Sequence, residues 1–339
     1  MNFNPFAENK PPSRSMFAKE TPKKQPKFTT EKVEDLVDRF GVKEYLGVKM
    51  DPETLVFFKE LLDQTGEQVV RTIIEKLHSK FDDAGRLREL ICFNQPITSL
   101  PKLPSGLRRI SCLHTQITSL PELPPGLTEL SCEHSKIASL PALPSGLTLL
   151  HCFDNPISSL PELPAGLKQL YCNNTEISSL PDELPTGLRY LSCRDTKIAT
   201  IPHLPAGLEW LGCRKTQITS LPDLPAGLME LDCAFNKITA LPEIPTKLNA
   251  LYCSYTSIAT IPKLPSTLEK LYCAYTNITT LPELPDGLLE LDCGYTKITA
   301  LPELPAGLEE LTIEGTSLAE DQAFLNELKK KYPKLDVRI

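Results

Sequence analysis

The sequence predicts an α/β solenoid, with short parallel strands along a concave face, a proline-rich extended convex face and a helical N-terminal cap. Three observations carry this. Between about Leu90 and Leu318 the chain repeats itself with a period near 20, and a period of that length decides the fold before local propensities are weighed. One cysteine marks each period: Cys92, Cys112, Cys132, Cys152, Cys172, Cys193, Cys213, Cys233, Cys253, Cys273 and Cys293. Every interval is 20 residues except one of 21, where Pro181-Asp182-Glu183-Leu184-Pro185 carries one residue more than its counterparts. The other half of each unit reads L-P-x-L-P-x-G-L. That is too rich in proline for a helix or a central strand, so it runs extended, near polyproline II, along the back.

The unit fits the leucine-rich-repeat pattern L-x-x-L-x-L-x-x-N-x-L. In the third repeat these positions are Leu127, Leu130, Cys132, Ser135 and Ile137. Cysteine takes the inward strand position usually held by leucine, and Ile313 replaces it in a twelfth unit. The Asn position is mostly threonine, with Asn155 and Asn236 as exceptions, and a threonine there can bond the backbone where the chain leaves the strand. One unit cannot bury its apolar edge alone; stacking joins the edges into a long core. The L-P-x-L-P-x-G-L-x-x-L form of the repeat resembles that of the IpaH and YopM group of secreted bacterial effectors, which carry short leucine-rich repeats behind a helical N-terminal cap. The cysteine ladder departs from that group's usual apolar residue.

The chain has 339 residues and a formal net charge of −7. All 11 cysteines lie on one ladder, so their number reports the repeat count. Buried strand positions and an odd number point to reduced thiols packed as small hydrophobes. Disulfides between neighbouring strands face strict directional demands, and zinc lacks a histidine in register with the thiols. No segment reaches 18 consecutive apolar residues, so no membrane span is expected. The N-terminus lacks the apolar core of a cleaved secretory signal, and the acidity argues against general nucleic-acid binding.

Four segments follow in order. Residues 1–29 are rich in Pro, Lys and Ser and read as a disordered tail, either merely solvated or, by the resemblance, a secretion signal. Residues 30–88 form the helical cap. Thr30 caps a short helix through Phe40, and Asp51-Pro52-Glu53 starts a second, with Leu55, Phe58, Leu61 and Leu62 at helical spacing. Gly66 breaks it. A third helix from about Glu67 carries Val70, Ile73, Ile74, Leu77 and Phe81 on one face and ends near Asp83-Ala84-Gly85. The cap should cover the open edge of the first strand. Residues 89–318 hold about twelve repeats. Residues 319–339 close the array with a helix from Ala323 to Lys331, stopped by Tyr332-Pro333, and a strand through Leu335, Val337 and Ile339.

Side chains alternate along a strand, so residues flanking the inward leucine and cysteine face the concave side. Tyr171, Tyr190, Trp210, Phe235, Tyr252, Tyr255, Tyr272, Tyr275 and Tyr295 fall in those columns. Strands stack about 4.8 Å apart, so Tyr252, Tyr255, Tyr272 and Tyr275 should form one compact cluster. Aromatics with polar tips dominate protein interfaces; the plainer reading is that they stack on each other and stabilise the sheet. Arg194 and Arg214 lie in the same array and could anchor a carboxylate or phosphate of a partner. His114 and His134, near His151 and Asp154, are the remaining candidate ligands, without a third imidazole in register.

The resemblance implies two activities. IpaH proteins are ubiquitin ligases whose Cys-x-Asp motif lies in a helical domain after the repeats. Cys152-Phe153-Asp154 and Cys193-Arg194-Asp195 match those letters, but on repeat strands their thiols point inward and are inert. With no such domain after the repeats, the chain resembles the non-catalytic YopM type. The expected function is therefore a non-catalytic scaffold: a secreted effector that binds a host signalling protein through the concave aromatic face. It needs no cofactor and reaches the host cytoplasm without a cleaved signal. A ligase-related effector and a self-assembling repeat protein, a homo-oligomer, are the alternatives.

Overall fold

The computed structural model describes residues 44–45, 48–76 and 79–339. It divides into two compact units, residues 1–49 and 50–339. In the first, strand β1 (Glu44–Tyr45) pairs antiparallel with β2 (Val48–Lys49). The tail and the helix expected from Thr30 to Phe40 lie outside the described residues, as does Leu77.

The second unit opens with helix α1 (Pro52–Thr65). Asp51 stands at its N-cap and accepts from the Thr54 N–H at 2.9 Å; Pro52 occupies the first turn, where no N–H is needed. Gly66, at φ +86°, ends the helix. A second helix, α2 (Glu67–Arg71), passes into a π-helical turn over Thr72–Lys76. The third helix expected through Phe81 is therefore cut short. Lys80–Phe81 is instead strand β3, paired antiparallel with β4 (Leu87–Ile91). Two needs displace the helix. The open edge of β4 requires hydrogen-bond partners, and Asp82 nucleates a tight turn that Gly85 completes at φ +78°. Asp82 accepts from the backbone N–H of Ala84 and Arg86 and from the guanidinium groups of Arg86 and Arg88. Burial opposes its ionisation, but those donors outweigh it and hold the carboxyl at about 2. Thr54 of α1 closes the cap by accepting from the Leu87 N–H at 3.0 Å.

From β4 onward the chain is a parallel-strand β-solenoid of about eleven turns. Strands β5 to β15 run from Arg109–Ser111 to Glu310–Thr312, three residues each, every one parallel to its neighbours. Their register is fixed by one residue per strand: Leu90, Ile110, Leu130 and so on to Leu311 stand opposite each other. This column, the cysteine column and the Ile97-to-Ile298 column are all buried. The back carries no helix. Its turns close by bonds such as Leu127 N–H to Pro124 C=O, 3.0 Å, and prolines fit there because the extended back asks few of them for a donor.

The Asn position is a second ladder. Thr175, Thr196, Thr256, Thr276 and Thr296 each donate 2.7 Å bonds to the carbonyl of the cysteine three residues earlier. Asn155 and Asn236 do more. Asn236 donates to Cys213 and Cys233 carbonyls and accepts from the Thr216 N–H, so it ties two repeats together.

The array ends with a 3₁₀ turn (Ser317–Glu320), helix α3 (Gln322–Lys331) and strand β16 (Asp336–Arg338), parallel to β15. Asp321 caps α3 through the Ala323 and Phe324 N–H groups, and Lys329, Lys330 and Lys331 sit at its negative end. No helix among the described residues is long and apolar enough to cross a membrane.

Candidate protein-binding face

The aromatic residues singled out by sequence fall into two settings. Tyr190 and Trp210 precede the central leucine of their strands; Tyr171, Tyr252 and Tyr272 follow it. Phe235, Tyr255, Tyr275 and Tyr295 lie two residues beyond the cysteine, on the rim where the chain leaves the sheet.

The rim column has an unusual backbone. Asn94, His114, His134, Asp154, Asn174, Asp195, Lys215, Phe235, Tyr255, Tyr275 and Tyr295 all have φ between 49° and 58°. Each sits there because its N–H reaches the next repeat: Tyr255 to the Ala274 carbonyl at 2.8 Å, Tyr275 to Gly294 at 2.9 Å. The shared conformation aims these side chains alike. Phe235, Tyr255, Tyr275 and Tyr295 therefore stack face to face, with centroids 4.1, 4.2 and 4.2 Å apart. The Arg214 guanidinium covers the first ring at 4.4 Å. At the far end Gly315 takes the same left-handed position, and a Cβ there would meet the Tyr295 ring at 2.5 Å. The inner ring faces are thus covered, while Tyr255, Tyr275 and Tyr295 remain exposed at 37%, 40% and 41%. The Tyr295 hydroxyl donates to Glu314 at 2.5 Å.

The strand columns behave differently. Tyr171, Trp210 and Tyr252 are only 6%, 4% and 8% exposed. Tyr171 lies 6.2 Å from Trp210, and Arg194 covers the indole at 4.6 Å while pairing with Asp232 at 3.0 Å. Gly212 makes room for this: a Cβ there would meet Trp210 at 2.4 Å and Arg194 at 2.7 Å. Tyr252 stacks on Tyr272 at 5.1 Å, and the Tyr272 hydroxyl donates to Glu290, which also receives Lys270. The single tyrosine cluster expected from spacing is in fact two ladders, one largely buried and one on the rim. Spacing gave the proximity but not the left-handed turn that separates them. Gly212 and Gly315 escaped notice in the sequence; each stands out only once its own repeat column is compared.

Toward the N-terminal half the rim is polar. His114 and His134 stack at 4.3 Å, His134 Nδ1 meets Asp154 at 3.3 Å, and Asp154 accepts from Asn174. No group of three potential metal ligands occurs among the described residues. Burial, with a smaller push from Arg109, lowers His151 to about 4. Burial, aided by Asp154, raises Glu133 to about 7. All eleven cysteines are free and fully buried. Burial pushes the Cys193 thiol up to about 12, and it raises Cys152 well above the usual range.

Comparison with solved structures gives the chain its place. YopM from Yersinia enterocolitica WA-314 matches with 27% identity and a TM-score of 0.64, over 78% of this chain and 65% of that one. The leucine-rich effector protein YopM from Yersinia pestis matches with 25% identity and a TM-score of 0.58, over 78% and 89%. The repeat block is a leucine-rich-repeat solenoid of the YopM type. The chain spans about two thirds of the length of the Yersinia enterocolitica YopM structure. A domain of InlJ from Listeria monocytogenes, described as including a cysteine ladder, shares the fold at 24% identity and a TM-score of 0.51, over 68% of this chain and 49% of that one. No protein-family model matches the sequence, and no curated protein does. In this chain a free, buried cysteine follows each of eleven successive strands.

Proposed function

We propose that the chain is a non-catalytic protein-binding scaffold, a secreted bacterial effector that holds a host signalling protein on its aromatic face in the host cytoplasm. One observation carries the reading. Of the seven large apolar side chains exposed among the described residues, three are the stacked tyrosines of one rim ladder. Contiguous exposed aromatics mark interaction sites, and tyrosine supplies contact area at little entropic cost. Likeness to the YopM effectors supports the setting. The non-catalytic part is supported by the two Cys-x-Asp thiols, which are buried and held protonated, whereas a nucleophile must be an accessible thiolate.

The test is differential capture from host-cell lysate. Wild type is compared with Tyr255→Ser/Tyr275→Ser/Tyr295→Ser and with Asp223→Ala on the back. A protein retained by wild type and the back variant, and lost by the ladder variant, supports the assignment. Equal retention by all three overturns the face.

A further inference from the structure

We infer that Glu133, His151 and Asn173 form a cation subsite on the concave face that takes an arginine side chain of the bound protein. The inference rests on the scaffold reading above and adds what one part of the partner must carry.

Unmet hydrogen-bonding capacity locates the subsite. Glu133 Oε2, His151 Nε2 and Asn173 Oδ1 are buried without a hydrogen-bond partner, and Glu133 as a whole is only 5% exposed. Buried polar atoms are seldom left so, and these three come from successive turns. Strand register sets Ser131, His151 and Tyr171 side by side. Glu133 and Asn173, two residues beyond the outer pair, therefore stand on either side of the His151 strand.

All three atoms are acceptors. A carboxylate has no donor to offer. Gln169 bonds the other nitrogen of His151 and favours a proton there, while burial keeps the ring neutral, so Nε2 presents a lone pair. The neighbouring charges are already matched: Asp154 by His134, Arg109 by Glu129. Arg194, next after Asn173 in its column, turns away to Trp210 and Asp232. The thiols of Cys112, Cys132 and Cys152 are held protonated. The unmatched charge is that of Glu133, and a cation completes it.

Shape chooses the cation. Strands lie about 4.8 Å apart, so the backbones bearing the three acceptors span about 10 Å. The hydrogens of an ammonium all leave one nitrogen, whereas a guanidinium spreads five donors around a plane and stacks on rings. Rings are at hand. Phe153 lies between Glu133 and Asn173 in their column, 5.4 Å from His134, and Tyr171 stands 4.6 Å from His151. The three atoms are covered in this structure, so the half-buried Phe153 turns aside as the arginine enters.

The experiment is a carbon-13 titration of the Glu133 carboxyl in the full chain with three capped peptides: Gly-Arg-Gly, Gly-Lys-Gly and the neutral isostere Gly-citrulline-Gly. No host protein is present, so the outcome is independent of lysate capture. The arginine peptide should shift the resonance saturably and pull the carboxyl down from about 7. Glu133 must ionise to receive it, so binding should be about tenfold weaker near pH 6 than near pH 8. Glu133→Gln, followed through the Asn173 amide signals, should weaken binding about tenfold at the higher pH. It should also flatten the pH dependence, which separates Glu133 from any share of His134. No saturable shift with the arginine peptide overturns the inference. So does an equal response to the lysine or citrulline peptide, or an unchanged affinity in Glu133→Gln.

Discussion

Glu133 offers a perturbation whose size can be worked out from the structure. Its side chain is 5% exposed, and burial, aided by Asp154, lifts the carboxyl from an ordinary 4.5 to about 7. A carboxyl with a raised folded value binds its proton more tightly when folded. Its contribution is fully present below pH 4.5 and is lost as the pH rises through 7. The displacement corresponds to about 3 kcal/mol, an upper figure because an ionised side chain can swing toward water. Asp292, raised by burial to about 6, acts in the same direction at lower pH. His151 acts oppositely: held neutral to about 4, it loses stability as the pH falls below 6.5. The whole-protein profile therefore mixes opposed slopes, and the informative quantity is wild type minus Glu133→Gln. That difference should grow in favour of the variant by about 1–3 kcal/mol between pH 4.5 and 8. It can be measured by urea unfolding, with the lone Trp210 as reporter. Long repeat arrays need not unfold in two states, so carbon-13 titration of the Glu133 carboxyl provides a check independent of unfolding. Parallel profiles for the two proteins, or a carboxyl midpoint near 4.5, would refute the reasoning.

Three further outcomes are expected. Asn236→Ala strands the Thr216 N–H and removes a donor from the Cys213 and Cys233 carbonyls, the first of which the Thr216 hydroxyl still serves, and should cost about 1–3 kcal/mol. Asn236→Thr keeps the bond its sibling threonines make and should cost less; equal losses would deny the cross-repeat tie. The eleven buried thiols should resist Ellman's reagent in the folded protein and react fully in denaturant, and rapid labelling of any one would mark an opened repeat. Gly212→Ala drives a methyl into Trp210 and Arg194 and should destabilise by about 1–3 kcal/mol, read as a lower unfolding midpoint with altered Trp210 emission.

The parallel array was legible because each turn carries the same constraint. Cysteine, leucine and isoleucine recur in register, and any one-residue slip would expose a column. The start of α1 was legible for a local reason, since Asp51-Pro52 satisfies cap and first turn together. The segment after α2 misled. Val70, Ile73, Ile74 and Phe81 repeat at helical spacing, yet Phe81 pairs across to Leu87. Apolar spacing records which residues are buried but not what the neighbouring edge lacks. The signal was present in Asp82-Asp83-Ala84-Gly85, whose turn chemistry sets up a reversal between Lys80-Phe81 and Leu87. It loses to the helical period when read alone.

The aromatic columns were legible as positions but not as environments, and the reason bears on function. Left-handed backbone favours Asn, Asp, His and Gly, and costs a bulky residue about 1–2 kcal/mol. The first half of the rim obeys this with Asn94, His114, His134, Asp154, Asn174 and Asp195. Phe235, Tyr255, Tyr275 and Tyr295 violate it four times running. Stacking returns about 0.5–1.5 kcal/mol per pair, and four rings make only three such pairs. On stability alone the aromatics therefore gain little over asparagine, which the same array uses elsewhere at no strain. Tyr171 and Trp210 need no such explanation, since they are buried against each other beside Arg194, and neither does Tyr252, which is buried against Tyr272. A row of exposed rings held at a backbone cost supports the proposal that the ladder serves a contact outside the chain. Tyr255→Asn, Tyr275→Asn and Tyr295→Asn should then leave the unfolding midpoint nearly unchanged while abolishing ladder contacts. A large loss of stability would instead make the ladder part of the scaffold.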